Sequence, residues 1–214
     1  MKPLLDAPLA IVDLETTGGS PARDRVTEIA VVEVDCGEIA SEWSTLVNPG
    51  TSVPPWIEAL TGISDDMVAD APAFGDLATE LHERLEGRIF VAHNARFDYG
   101  FLHHAFERAG WRFQAPMLCT VRLSRRLYPG YARHNLDSLI VRHELKFDLH
   151  SSARHRALGD ARAVWQFLRV AAEECGAAHL ERVAHGLLKV PVLPARADHA
   201  SVAAWRTRVS PGGR

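Results

Sequence analysis

The sequence is poor in cysteine and has no long apolar run. Its three cysteines, Cys36, Cys119 and Cys175, are odd in number and far apart, with no CxxC or Cys/His spacing of the kind that binds zinc. A reducing, cytoplasmic setting fits this pattern best. No stretch approaches the roughly 18 apolar residues that a membrane span needs, and the N-terminus lacks the features of an export signal. We therefore expect neither export nor membrane insertion.

One domain accounts for most of the chain. Its 214 residues, 47% of them hydrophobic, suffice for one full core and leave some length for a tail. We assign residues 1–176 to the domain. Residues 177–214 contain a possible short helix, then two prolines and a Ser-Pro-Gly-Gly turn sequence. We interpret them as a C-terminal tail of unknown role.

Charged side chains are segregated along the chain, although the net charge is only −3. Residues 1–111 carry 7 basic and 19 acidic side chains, whereas residues 112–162 carry 10 basic and 4 acidic ones. Such a basic stretch could follow a phosphate backbone while the acids of the first half hold cations. Solvated helix faces explain the charges alone at least as well.

The order of the apolar runs predicts an α/β layer fold. A buried strand comes first, and an antiparallel pair with hairpin character at its turn lies beside it. Strands and helices then alternate. Strands are predicted at residues 8–14, 26–34, 39–47, 88–92 and 117–120, and helices at residues 74–85, 95–109, 121–127, 136–142 and 157–174.

Two acids, Asp13 and Glu15, lie at the end of the first predicted strand. Because side chains alternate along a strand, residues two apart point to the same face. Mg²⁺ and Mn²⁺ prefer such oxygen ligands, and a second cation shared with substrate phosphates stabilises in-line attack on a phosphodiester. The pair predicts a cation site, although a solvated loop is the commoner setting for two such acids taken alone.

Two further polar groups follow later elements. Asp98 should lie one turn into a helix capped by Asn94, facing the end of the preceding strand, although a plain cap with a dipole-favoured acid explains both residues. His155 and Asp160 are five positions apart and would diverge by about 140° on a regular helix. A shared site therefore requires His155 to precede the helix. An imidazole, which titrates near neutrality, suits proton removal from an attacking water.

Together these groups resemble the three ordered motifs of the DEDDh branch of the DEDD 3′-5′ exonucleases. The motifs are Asp13-Leu14-Glu15-Thr16-Thr17-Gly18, then Asn94-x-x-Phe97-Asp98, then His155-x-x-x-x-Asp160. The resemblance covers roughly residues 8–175. Over these residues the sequence is similar to the proofreading epsilon subunit of bacterial DNA polymerase III and its stand-alone relatives.

The resemblance implies a ribonuclease H-like fold, with a mixed five-stranded sheet flanked by helices. It also implies two Mg²⁺ or Mn²⁺ ions held by Asp13, Glu15, Asp98 and Asp160, with His155 as the general base. Asp98 would act largely through water. The products would be nucleoside 5′-monophosphates released from a free 3′ end.

The resemblance further implies which residues bind the terminal nucleotide. Leu60 and Ile63 would wedge against unpaired bases, although core packing explains these two apolar residues equally well. The complete set implied is Thr16, Thr17, Leu60, Ile63, Asn94 and Phe97.

Three functions stay open at this point. The first is a DNA 3′-exonuclease of proofreading or repair, acting on single-stranded or frayed DNA, with a polymerase or repair protein as a candidate partner. The second is an RNA-trimming enzyme of the same branch, which the motifs do not separate from the first. The third, a catalytically silent nucleic-acid-binding subunit, is disfavoured by the complete set of acids and base. The only glutamines, Gln114 and Gln166, lie inside the domain, so a glutamine-led clamp-binding segment is lacking and a replicative role is weakened.

Overall fold

Five strands form one mixed sheet in the computed structural model, which describes residues 3–146 and 156–191. The sheet order is β3-β2-β1-β4-β5. Antiparallel pairing joins β1 to β2 and β2 to β3, whereas β1, β4 and β5 are parallel. The predicted five-stranded sheet is thus confirmed. The strands are β1 Leu9–Thr16, β2 Val26–Asp35, β3 Glu38–Leu46, β4 Ile89–Ala92 and β5 Met117–Cys119.

The helices cover both faces of this sheet. They are α1 Pro55–Thr61, α2 Asp65–Ala69, α3 Phe74–Leu85, α4 Arg96–Arg108, α5 Thr120–Leu127, α6 Leu136–Arg142, α7 Ala157–Cys175 and α8 Ala177–His185. The sequence pattern missed α1 and α2, since Pro54 and Pro55 indicated only a turn. Pro55 occupies the first turn of α1, where a missing N–H costs no helical hydrogen bond. Among the described residues no helix is long and apolar enough to cross a membrane.

The β2–β3 hairpin follows from its two turn residues. Cys36 and Gly37 both have positive φ, of 52° and 82°, as a type I′ turn requires. The six residues from Glu28 to Glu33 pair with both β1 and β3, and the register shifts between Glu15 and Thr16 of β1 and between Glu33 and Val34 of β2. The predicted hairpin is confirmed.

Two hydrophobic cores lie on opposite faces of the sheet. Ile11 and Val32 pack against α5, α6, α7 and α8 on one face, whereas Val12 and Ile29 pack against α3 and α4 on the other. This division follows the alternation of side chains along β1 and β2. Asp13 and Glu15 continue the row of Ile11, so they point towards the α7 face.

The last described segment packs onto the same core. Leu180 and Ala184 of α8 are buried in the cluster that α7 forms, and Lys189 forms a β-bridge with Met117 of β5. The sequence predicts a tail over residues 177–214. The described part of that tail, as far as Lys189, contributes to the core and to the edge of the sheet.

β1 continues beyond the end of β4. The parallel pairing of these strands stops at Ile11 and Val91, whereas β1 runs on to Thr16. Within the described part of the chain, one edge of residues 12–16 therefore has no paired strand. The polar side chains of β1 lie at this opening.

Candidate active site

Three carboxylates from β1 and α7 converge at the open end of β1. One ligand oxygen from each of Asp13, Glu15 and Asp160 lies within 4.8 Å of the other two. Asp160 is in the first turn of α7 and is buried, whereas the two strand acids are half-buried. α7 packs against both β1 and β2, which sets its first turn against the strand end. The sequence predicted that these three residues share a site, and the structure brings them together.

The donor set suits a hard divalent cation. Two oxygens on opposite sides of a magnesium ion lie about 4 Å apart, which is compatible with the spacing of these carboxylates. Carboxylates this close repel one another, and a bound cation or protons relieve that repulsion. The residues present therefore fit a metal ion of the Mg²⁺ or Mn²⁺ class.

Asp98 approaches the same strand from the opposite layer. It is the third residue of α4, and only 3% of it is exposed. Burial raises the pKa of Asp98 to about 8, although hydrogen bonds from the backbone amides of Asp98 itself and of Leu14 oppose this shift. The Leu14 contact places Asp98 beside β1. Its carboxylate lies outside the cluster of three.

Asn94 is not the cap that we predicted for α4. The N-cap position belongs to Ala95, which makes no side-chain capping bond. Asn94 instead occupies the tight connection from β4, in the left-handed region with φ of 70°, and its carbonyl accepts the N–H of Phe97 at 2.8 Å. Asparagine tolerates this conformation better than most residues. Asn94 is exposed, and the ring of half-buried Phe97 packs against that of Phe101 at a tilt of 47°.

The two threonines after Glu15 organise the loop that follows β1. The Thr16 hydroxyl donates to the Gly18 carbonyl at 2.7 Å, and the Thr17 hydroxyl accepts the Arg25 backbone N–H at 2.9 Å. Both threonines are only 5% exposed. In the described structure, therefore, their hydroxyls hold the loop.

Leu60 and Ile63, predicted together as base contacts, have different surroundings. Leu60 is 51% exposed on α1, near the exposed Trp56 one turn earlier. Ile63 is completely buried in a small core with Val53 and Val68. This burial favours core packing for Ile63, and its contact with a base stays a prediction.

His155 lies outside the described residues, but Arg156, the residue after it, is anchored by hydrogen bonds. Arg156 donates to the Glu28 carboxylate from Nε and from Nη2, at 2.9 and 2.7 Å from Oε1. The hydrogen bonds and charge of Glu28 raise the pKa of Arg156 despite its partial burial, and Glu15 adds a smaller electrostatic effect. The chain therefore enters α7 from a fixed point beside β2.

Sequence reasoning missed Glu28. It lies in the otherwise apolar run Val26–Val34 that we assigned to a buried strand, and it is 3% exposed. A charged side chain inside a buried strand must be paired or bound to a metal, and this rule would have singled out Glu28. Its partner, 128 residues away, has no local sequence signal.

Comparison with known families defines the class of this protein. The RNase T exonuclease family model matches residues 10–168. The chain belongs to this exonuclease family, and its resemblance to the DEDDh-type 3′-5′ exonucleases is confirmed.

Particular relatives make the class more specific. The 3′-5′ exonuclease DinG of Bacillus subtilis is 41% identical over 155 residues, which cover 71% of this chain and 16% of DinG. The PolC-type DNA polymerase III of the same bacterium is 38% identical over 155 residues, which cover 72% of this chain and 10% of the polymerase. This chain thus spans only about a sixth and a tenth of these two proteins.

Solved structures share the fold. Exonuclease X, solved in complex with 5′ overhanging duplex DNA, has a TM-score of 0.64 and 29% identity, and the match covers 82% of this chain and 99% of that one. E. coli exonuclease I, in complex with a dT13 oligonucleotide, has a TM-score of 0.71 at 17% identity, covering 82% of this chain and 43% of the enzyme. The ribonuclease H-like fold is confirmed.

Proposed function

We propose that this domain is a metal-dependent 3′-5′ exonuclease that releases nucleoside 5′-monophosphates from single-stranded or frayed DNA. The observation that carries the proposal is the convergence of the Asp13, Glu15 and Asp160 oxygens within 4.8 Å, in a chain of the exonuclease family. Hard oxygen ligands at the end of a buried strand suit phosphodiester hydrolysis. All the proposed site residues lie within residues 1–176, and α8 packs onto this part of the chain.

The site residues have distinct proposed roles. Asp13, Glu15 and Asp160 would hold the metal, Asp13 would bridge to a second ion, and Asp98 would act beside that ion largely through water. Two bound Mg²⁺ or Mn²⁺ ions would supply charge stabilisation to the attacking and leaving oxygens. His155 would accept the proton of the attacking water, since a neutral imidazole is available at physiological pH.

The loop after β1 and the start of α4 would bind the terminal nucleotide. The nearby backbone of Thr16 and Thr17, the exposed side chains of Leu60 and Asn94, and the ring of Phe97 are the candidate contacts. Apolar and aromatic contacts to unpaired bases favour single-stranded ends without reading their sequence. Trp56, exposed one turn before Leu60, would extend this apolar surface.

DNA is the proposed substrate because the similar proteins named above include a DNA polymerase III and an exonuclease solved with DNA. The same names make a polymerase or a repair complex the proposed partner. RNA trimming by the same chemistry is the rival, which a direct comparison of substrates separates.

The experiment is a side-by-side digestion of matched oligonucleotides by the purified chain. Single-stranded DNA, duplex DNA with a mismatched 3′ end, and RNA of the same sequence are incubated with Mn²⁺ or with Mg²⁺. Label at the 5′ end should give a descending ladder, and label at the 3′ end should give mononucleotide at once. Chelation or Asp13→Ala should abolish both.

Three results would contradict the proposal. Robust digestion by the Asp13→Ala protein would remove the metal cluster from the reaction. Immediate release of a 5′-terminal nucleotide would reverse the polarity. Faster digestion of RNA than of either DNA substrate would contradict the DNA assignment and support RNA trimming instead.

A further inference from the structure

Glu28 is a buried carboxylate in the middle of an apolar strand, and the proposed reaction leaves it without a role. It is the direct cross-strand neighbour of Glu15. Cross-strand partners project from the same face of a sheet, so Glu28 points to the side that α7 covers. A buried carboxylate is costly unless hydrogen bonds compensate its lost hydration. The hydrogen-bond partners of Glu28 therefore indicate what this carboxylate does.

Both oxygens of Glu28 are used at the start of α7. Oε1 accepts Nε and Nη2 of Arg156 at 2.9 and 2.7 Å, and Oε2 accepts the backbone N–H of Ala157 at 3.0 Å. That N–H belongs to the first turn of α7, where amides have no partner within the helix. The N-cap residue Arg156 makes no side-chain capping bond. A carboxylate from β2 thus caps the helix in its place.

This cap lies one turn from a metal-site carboxylate. Ala157 and Asp160 are three residues apart and so lie on the same face of α7. The hydrogen bond at Ala157 fixes the first turn of α7 along the helix axis and in rotation about it. This turn carries Asp160. Asp160 in turn meets Glu15, the strand neighbour of Glu28, within the 4.8 Å cluster. Glu28 therefore connects the two elements that build the site.

We propose that Glu28 is a positioning residue of the metal site, which places Asp160 against Asp13 and Glu15 by holding Arg156 and the Ala157 amide. The inference rests on the proposed function, because it concerns the same site. Glu28 also neutralises the guanidinium of Arg156, which lies within electrostatic reach of Glu15. Without Glu28, that guanidinium is free to turn to Glu15 and compete with a cation.

The test compares Glu28→Gln with a matched variant of the same strand. The amide keeps the size of the side chain but offers one acceptor oxygen where the carboxylate uses two. Glu33→Gln is the control, since Glu33 pairs with Arg84 and Arg88 near the other end of β2. The readouts are Mn²⁺ affinity by calorimetry and kcat and KM on single-stranded DNA.

Glu28→Gln should raise the Kd for Mn²⁺ and lower kcat, each by about 10- to 100-fold, with KM changed by less than about threefold. Glu33→Gln should keep the Mn²⁺ affinity and the kcat of the unaltered protein. Glu28→Asp retains the charge but is one methylene too short to reach both partners, so its Mn²⁺ affinity should fall between those of the unaltered protein and Glu28→Gln. It also provides a second variant if Glu28→Gln fails to fold.

Two outcomes would overturn the inference. The first is a Mn²⁺ affinity in the folded Glu28 variants equal to that of Glu33→Gln. The second is a loss of activity that matches the unfolded fraction measured by circular dichroism, because a merely structural residue would behave in that way. Calorimetry needs no substrate, so a chain that binds Mn²⁺ without digesting DNA would refute the proposed function and still leave Glu28 tested.

Discussion

Asp98 should give the metal-free protein a pH dependence of stability that Asp98→Asn removes. Its folded pKa is about 8, against an ordinary 3.8. Between these values the folded state keeps a proton that the unfolded state has released. Stability contributed by this group is therefore present at low pH and lost as the pH rises through the folded pKa.

The expected size of the effect follows from the same two pKa values. From pH 6 to pH 8, the loss in unfolding free energy from Asp98 alone is about 2 kcal/mol. For a chain of this length, that corresponds to a fall in Tm of about 4 to 8 °C. An asparagine has the same shape and no charge at either pH. The unfolding free energy of the variant therefore lacks the pH-dependent contribution of Asp98.

The assay is urea unfolding of both proteins with chelator present, at pH 6 and at pH 8. Taking the difference between the two proteins cancels every other group that titrates in both. Relative to the unaltered protein, Asp98→Asn should gain about 2 kcal/mol on going from pH 6 to pH 8. Parallel stability curves over this range would refute the reasoning that Asp98 is protonated in the folded protein.

A divalent cation should change the result in a defined direction. A nearby positive charge favours the ionised carboxylate and lowers its pKa. Saturating Mn²⁺ should therefore stabilise the unaltered protein more at pH 8 than at pH 6, where protons compete with the ion. Equal stabilisation at both pH values would show that metal binding is not coupled to Asp98.

Three other predictions concern the base, the loop and the core. His155→Gln should keep the fold and the Mn²⁺ affinity but lose about 10²- to 10⁴-fold in kcat, and an unchanged pH–rate profile would exclude His155 as the base. Gly18→Ala would place a Cβ 2.5 Å from Oδ2 of Asp24. The unfolding free energy of this variant should fall by about 1 to 3 kcal/mol in urea titrations, and no loss would mean that the loop adjusts freely. Phe101→Ala should cost about 3 to 5 kcal/mol by the same measurement, since the ring is completely buried, and a cost below about 1 kcal/mol would contradict its place in the core.

Local patterns were sufficient to predict most of the sheet and the two strand acids of the site. Side-chain alternation along β1 places Asp13 and Glu15 on one face whatever the tertiary structure. Helical spacing predicted α3 and α6 with the bounds observed, and α7 to within one residue. These features depend on neighbours in the chain.

Features that depend on distant contacts could not be predicted in this way. Ile63 and Leu60 have the same apolar character in sequence, but only Ile63 is enclosed by Val53 and Val68. The short helices α1 and α2 lack a long hydrophobic period, and each buries an apolar residue, Ile57 and Val68, in this small core. Likewise, the role of Glu28 depends on Arg156, which is near it only after folding.

The β-bridge between Lys189 and Met117 also covers a sheet edge at which the domain could aggregate. β5 is an edge strand, and an edge with free N–H and C=O groups is a template for pairing with other chains. The Met117 N–H donates to the Lys189 carbonyl at 2.6 Å, and the Lys189 N–H donates back at 3.2 Å. A chain cut after residue 176 would expose this edge together with the apolar surface that Leu180 covers. Such a fragment should aggregate through β5, so domain boundaries for expression belong beyond α8.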